Sequence, residues 1–275
     1  YTTLEDVPLT IPAAGLLTND VDVDGDLLTA VIESKAAHGS LSLNADGGFT
    51  YAPNTNYFGS DSFTYRATDG LATGNVATVT INLTAVNDVP MANNDNTNTL
   101  EDMSVNIKVL ANDSDPEGTP LTITGTSTTN GTALISGTSV VFTPSTNFNG
   151  VVVFNYTVSD GTNSASASVT VLVTPVNDNP MANNDTYTTL EDVPLTIPAA
   201  GLLTNDVDVD GSVLTVVLVS NAAHGSLSLN TDGGFTYAPD TNYFGSDSFT
   251  YRAADGLATG NVATVTINLT AVNDV

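Results

Sequence analysis

Residues 1–89 and 187–275 of this 275-residue chain superimpose without a gap at an offset of 186 and differ at nine positions. A diverged copy lies between them: Leu100-Glu101-Asp102 stands for Leu4-Glu5-Asp6, Asp160-Gly161 for Asp69-Gly70, and Val176-Asn177-Asp178 for Val86-Asn87-Asp88. A unit of about 90 residues is long enough to close its own core, so each copy is read as one domain. The boundaries fall at 1–89, 90–179 and 180–275, in an A–B–A pattern. The junctions are themselves repeated, Val86-Asn87-Asp88-Val89-Pro90-Met91-Ala92-Asn93-Asn94-Asp95 matching Val176 to Asp185. The chain opens and closes within this pattern, so the expectation is a window of a longer tandem array, with further copies as its neighbours.

Within a copy the apolar period is two. Val79, Ile81 and Leu83 alternate with Thr78, Thr80 and Asn82, and the middle copy repeats the pattern with Phe154, Tyr156 and Val158. His38-Gly39, Asp46-Gly47-Gly48, Phe58-Gly59 and Asp69-Gly70 punctuate these runs. Strands are expected near Leu4, through Val7–Ile11, and over 27–33, 40–44, 48–52, 61–68 and 76–86, with no helical stretch. About seven short strands per copy predict an all-β chain: three tandem Ig-like antiparallel β-sandwiches in an extended array.

The charge balance narrows function. Of 30 acidic residues 25 are Asp, against four basic ones, for a net charge of −26. Lys35, Arg66, Lys108 and Arg252 cannot neutralise a phosphate backbone or an anionic bilayer, which excludes nucleic acid and membrane surfaces as partners. No apolar run reaches the length of a membrane span, and the chain has no cysteine for disulfides or thiolate metal sites. Asp in this excess suits turns and hard-cation sites.

Counting strands gives the carboxylates an address. Asp20, Asp22 and Asp24 in the loop before Gly25 share one end of the sandwich, the head, with Asp46 and Asp69. Glu5, Asp6 and Asp61 share the other end, the tail, with Asn87 and Asp88. Tandem copies then bring a tail, a linker and the next head together. At the first junction these are Glu5, Asp6, Asp61, Asn87, Asp88, Asp95, Asp113, Asp115, Glu117 and Asp160. At the second they are Glu101, Asp102, Asn177, Asp178, Asp185, Asp206, Asp208, Asp210 and Asp255; Glu191, Asp192, Asp247 and Asp274 belong to the last tail. Carboxylates gathered so closely repel unless a cation joins them, and the protein has too few cations of its own. Ca²⁺ fits, taking six to eight oxygens from Asp, Glu, Asn and carbonyls, whereas Mg²⁺ holds its waters and zinc lacks its preferred ligands. Asp20-x-Asp22-x-Asp24-Gly25 begins like an EF-hand loop, but its twelfth position is Val31, so it is not one.

These residues resemble cadherin-type repeats, most closely the cadherin-like tandem repeats of large bacterial surface proteins and adhesins. The carriers are Leu-Glu-Asp at 4–6, Asn-Asp-x-Asp-x-Asp-Gly at 19–25, Asp-Ser-Phe-Thr-Tyr at 61–65, Asp-Gly at 69–70 and Val-Asn-Asp-x-Pro at 86–90. The resemblance implies Ca²⁺ between domains, held by Glu5, Asp61, Asp88, Asp113, Asp115 and Asp160. At the second junction it implies Glu101, Asp178, Asp185, Asp206, Asp208, Asp210 and Asp255. The middle copy has Val152 where Asp61 and Asp247 stand, which predicts fewer ligands at the second junction.

The expected function is mechanical: a structural segment of an extracellular, secreted or cell-surface chain, an adhesin stalk or surface fibre stiffened by Ca²⁺. Two other readings stay open, a subunit of a self-assembling filament that docks on neighbouring chains, and a carbohydrate- or surface-binding module using Tyr57-Phe58 and Tyr243-Phe244. An enzyme is not expected, because His38 and His224 stand in Ala-Ala-His-Gly turns with no nucleophile paired to them.

Overall fold

The computed structural model describes residues 1–273. The first copy folds into seven strands: β1 (Thr2–Leu4), β2 (Leu9–Ile11), β3 (Thr29–Ser34), β4 (Gly39–Leu43), β5 (Phe49–Pro53), β6 (Gly59–Thr68) and β7 (Ala77–Thr84). The middle copy has β8 (Asp95–Leu100), β9 (Val105–Ile107), β10 (Thr122–Ser127), β11 (Gly131–Ser136), β12 (Ser139–Pro144), β13 (Gly150–Ser159) and β14 (Ser164–Thr174). The last has β15 (Asp185–Leu190), β16 (Leu195–Ile197), β17 (Thr215–Ser220), β18 (Gly225–Leu229), β19 (Phe235–Pro239), β20 (Gly245–Ala254) and β21 (Thr259–Thr270).

Each copy forms a four-stranded sheet, β1-β7-β6-β3 in the first, and a three-stranded one, β2-β5-β4. The period-two pattern explains the pairing of layers. Phe63, Tyr65, Val79 and Ile81 of the larger sheet face Phe49 and Tyr51 of the smaller one, and all are buried. Phe49 meets Phe63 edge to face at 5.4 Å, and Phe235 meets Phe249 at 5.3 Å in the last copy. The middle sandwich fills the same layer with Val140, Phe142, Phe154, Tyr156 and Val169. Pairing is antiparallel except where the first strand joins the last of its domain. There β1 runs parallel to β7 and β15 parallel to β21, because the chain enters and leaves each sandwich at opposite ends.

A short 3-10 turn breaks the expected helix-free pattern, at Gly15–Asn19, Val109–Ala111 and Leu202–Thr204. It drops Leu16, Val109 or Leu202 into the core just ahead of the acidic loop. Gly15 has φ +33, and a Cβ on it would meet the carbonyl oxygen of Gly47 at 2.3 Å, so the turn depends on glycine there.

Two compact units emerge. One holds Tyr1–Thr99, Met103–Pro144 and Val151–Leu172; the other holds Leu100–Asp102, Ser145–Gly150 and the chain from Val173 onward. The tail of the middle copy thus packs within the unit that contains the last sandwich.

Candidate metal centre

Glu5 directly follows β1 and is buried at 2% exposure. Its amide donates to the Thr84 carbonyl at 3.0 Å, and its Oε1 accepts the Val86 amide at 2.5 Å. The outgoing strand therefore pins one oxygen of the side chain, and the other, Oε2, has no hydrogen-bond partner although it is buried. Glu101 is held the same way by the Thr174 carbonyl and the Val176 amide, and Glu191 by Thr270 and the Val272 amide.

The linker delivers the second group. Asp88 donates its amide to Glu117 Oε2 at 2.9 Å, and Asp178 donates to Asp210 Oδ2 at 2.8 Å. Carboxylate oxygens of Glu5, Asp88 and Glu117 come within 4.8 Å of one another, as do those of Glu101, Asp178 and Asp210. In the first trio Glu5 Oε2, Asp88 Oδ2 and Glu117 Oε1 are all buried without a partner; Asp178 Oδ2 is the counterpart in the second. Asp115 Oδ1 accepts the Glu117 and Thr119 amides at 3.1 and 2.9 Å, which shapes the loop, while its buried Oδ2 and that of Asp208 are also unpartnered. Burial, together with the charges of Asp210, Glu101, Asp102 and Asp208, pushes the Asp178 carboxyl above its ordinary value.

A further group surrounds a tyrosine. The Tyr156 hydroxyl lies 3.0 Å from both Asp113 oxygens and 2.8 Å from the Asn93 carbonyl. The Tyr251 hydroxyl lies 3.1 to 3.2 Å from Asp206, from Asp185 and from the Asn183 carbonyl. One phenolic proton serves one acceptor at a time, so these oxygens outnumber the donor set between them. Burial raises Asp185 to about 6, with the Asp206 charge adding to the shift and the hydrogen bonds from Tyr251 and Asn205 opposing it. Burial likewise raises Asp206, and raises Asp95, whose buried Oδ2 has no partner.

Other predicted residues have different work. Asp61, buried at 4% exposure, accepts the Ala37, His38 and Ser62 amides at 2.8–3.0 Å and the Tyr51 hydroxyl at 2.8 Å. Burial pushes its carboxyl up, but those four donors prevail and hold it below the usual range; Asp247 repeats the arrangement. Neither is brought to the clusters. Val152, which stands in the same place, is a buried core residue, so the two trios match despite that difference. Asp6, Asp102 and Asp192 take φ of 55–59° and accept the amides of Asn56, Asn147 and Asn242 at 3.0–3.1 Å, clasping the loop before the long hairpin. Asp160 Oδ1 accepts the Thr162 and Asn163 amides at 2.6 Å, and its Oδ2 the Asn87 carboxamide at 2.8 Å. Asp255 does the same with Leu257, Ala258 and Asn177. In both, these donors hold the carboxyl below its ordinary range, as they do at Asp69, whose donors are Ala72 and Leu71.

At the first head Asp20 takes the Tyr65 hydroxyl at 2.9 Å, Asp22 accepts the Asp24 and Asp26 amides, and Asp24 itself is exposed. Asp274 lies outside the described residues. Asn93, Asn183 and the two tyrosines were missed from sequence; the Asn-Asn-Asp string in both junctions carried the signal but reads as a boundary. Tyr57 and Tyr243 stack on His38 and His224 at 4.0 and 4.1 Å and donate to Ser60 and Ser246, so these aromatics pack within their own domain.

The model of the bacterial cadherin-like domain matches residues 1–85 and 177–271, and that of the bacterial Ig domain matches 87–174. This chain belongs to the bacterial cadherin-like domain family. Cadherin-like and Ig-like repeats of this kind are structural, non-enzymatic domains, and cadherin-like domains generally bind Ca²⁺. No curated protein matches the chain. Among solved structures it resembles human CDH23 EC21-23, at 15% identity and a TM-score of 0.60, covering 98% of this chain and 96% of that one. Mouse clustered PcdhgC3 EC1-3 follows at 13% identity, a TM-score of 0.58 and 99% of both chains. Both likenesses establish the cadherin fold. An endo-fucoidan hydrolase of glycoside hydrolase family 107 aligns at 20% identity with a TM-score of 0.31, and the chain spans 39% of its length, which carries nothing about activity.

The cadherin-like chain's donor set fits a calcium ion on its own chemistry. Each trio offers hard carboxylate oxygens alone, and several of these are buried and unpartnered, an arrangement that costs free energy unless a cation or a proton joins it. Among the described residues no helix is long and apolar enough to cross a membrane.

Proposed function

We propose that this chain is a structural segment of a long extracellular repeat protein, an adhesin stalk or surface fibre, built of domains 1–89, 90–179 and 180–275 and stiffened by Ca²⁺. The ligands are Glu5, Asp88, Asp115 and Glu117 at the first junction and Glu101, Asp178, Asp208 and Asp210 at the second. Asp95 with Asp113, and Asp185 with Asp206, extend each site. The reading rests on one observation: the carboxylates of Glu5, Asp88 and Glu117 are mutually close, and one oxygen of each (Oε2, Oδ2 and Oε1) is buried without a hydrogen-bond partner. These oxygens come from a tail, a linker and a following head, so an ion bound to all three stabilises the docked arrangement by RT ln(1 + [L]/Kd). Asn87, Asn177, Asp160 and Asp255 orient the linker. Isothermal titration of Ca²⁺ into chelator-treated chain tests this, with dissociation constants on the order of 10⁻⁴–10⁻³ M expected. Absence of saturable heat, or equal binding of Mg²⁺, overturns it.

A further inference from the structure

The first and last sandwiches differ at nine positions, and six of these lie in one ten-residue stretch. Asp26, Leu27, Ala30, Ile32, Glu33 and Lys35 of the first copy are Ser212, Val213, Val216, Leu218, Val219 and Asn221 in the last. The stretch covers β3 and β17, which form an open edge of the four-stranded sheet in each copy. The changes remove every charge from it. Residues 212–221 carry none, and no Asp, Glu, Lys or Arg follows before Asp232. In the first copy Glu33 also meets Arg66, Nε to Oε2 at 3.1 Å. In the last copy Val219 replaces that carboxylate, and Arg252 keeps its bond to the Gly260 carbonyl at 2.6 Å.

Charged side chains on an edge strand keep it from pairing with another chain. Without them β17 exposes an apolar run. Its pairing with β20 slips between Leu218 and Ser220, where Val219 is the extra residue. A bulge breaks the alternation of side chains, so Val217, Leu218 and Val219 are 44%, 44% and 49% exposed in succession. Val216 is buried and gives its amide to the Thr231 carbonyl at 2.9 Å, so the open edge begins at Val217. The edge is open by its place in the sheet. β3 and β10 stand at the same edge in copies that have another sandwich after them, and Val31 and Ile32 of β3 are exposed there too. β10 reads Thr-Ile-Thr-Gly-Thr-Ser, polar and broken by Gly125, so among the described strands at this edge only β17 is both apolar and uncharged.

We propose that β17 is a homotypic docking edge, pairing antiparallel about a two-fold axis with β17 of a second copy of this chain. Such pairing sets residues 217–219 against the same residues, apolar on apolar, and shares a short backbone ladder across the join. The charges select this partner. In a chain of net charge −26, β17 against β17 opposes no strand carboxylate, whereas docking on β3 would set Glu33 and Lys35 against valine and leucine. No carboxylate of the calcium clusters enters the contact, so the inference stands apart from the calcium reading.

The first copy supplies the control. Val219→Glu with Asn221→Lys gives the last strand the two charges that the first carries in the same fold, and Arg252 stands ready to meet the carboxylate as Arg66 meets Glu33. Glu33→Val with Lys35→Asn makes the converse change. Sedimentation velocity of the full 275-residue chain, in EDTA and in Ca²⁺ at physiological salt, reads the outcome. The wild type should pass from monomer to dimer between about 10 µM and about 1 mM in both buffers, the range of a small interface. Val219→Glu/Asn221→Lys should raise the dissociation constant at least about tenfold, because like charges then face each other across the join, at an unchanged melting temperature. Glu33→Val/Lys35→Asn, with two such edges per chain, should form species larger than a dimer. A wild type still monomeric at about 1 mM, a charged variant that dimerises as well as the wild type, or a converse variant that stops at the dimer would overturn the proposal.

Discussion

Replacing Glu5 by Gln keeps the side chain's shape and leaves Oε1 to accept the Val86 amide, but removes the charge from the trio. Oxygens of Glu5, Asp88 and Glu117 lie within 4.8 Å of one another. At that separation each pair of charges repels by about 3 kcal/mol at an effective dielectric of about 20, and by about 1 kcal/mol in bulk water. Glu5 takes part in two of the three pairs, so without metal its neutralisation relieves about 2 kcal/mol even at the water limit. The weaker hydrogen bond from Val86 returns about 1 kcal/mol of that. In chelator the variant is therefore the more stable protein. With Ca²⁺ at a hundredfold excess over Kd, the wild type gains about 2.7 kcal/mol, and a variant binding about a hundredfold more weakly gains about 0.4 kcal/mol. Scanning calorimetry in EDTA and in Ca²⁺ should show the sign of the difference reverse, by several degrees for a domain of this size. A variant less stable than the wild type by the same amount in both buffers would refute the reasoning.

Asp61→Asn and Asp247→Asn should each cost about 3 kcal/mol with or without Ca²⁺, because an amide cannot accept all four donors that converge on a buried carboxylate; denaturant melts in both buffers check this. Their carboxyls sit below the unfolded value, so the stability they contribute is present above that value and is lost as acid brings the pH down through the folded one. Asp185, raised to about 6, has the opposite sign: in chelator its unit should gain stability as pH falls from 7 toward 4, and Ca²⁺ should abolish the gain, both read by pH-dependent thermal melts. Gly260→Ala should destabilise its sandwich through the 1.9 Å overlap with the Pro180 carbonyl oxygen, read as a lower melting temperature in thermal melts.

Alternation and glycine turns made the sandwich legible. Expected strands over 61–68 and 76–86 became Gly59–Thr68 and Ala77–Thr84, since Phe63, Tyr65, Val79 and Ile81 have nowhere to go but inward. The 3-10 turn escaped because it spans so few residues that periodicity cannot register it. The head and tail assignment follows from strand parity, and in the structure carboxylate oxygens of Glu5, Asp88 and Glu117 lie within 4.8 Å of one another. Parity alone could not separate Asp61 from them. Both lie at the tail, but Asp61 points between the sheets toward the Tyr51 hydroxyl, whereas Glu5 turns toward the linker. Nor does a sequence reveal hydrogen-bond saturation, which is what distinguishes Asp61 from a carboxylate with an oxygen to spare.

The most direct measurement is the anomalous difference density of crystals grown in millimolar Ca²⁺. The account predicts a peak 2.3–2.6 Å from Glu5 Oε2, Asp88 Oδ2 and Glu117 Oε1, with its counterpart at Glu101, Asp178 and Asp210. Water-strength density alone at those positions, with the carboxylates turned outward, would contradict it.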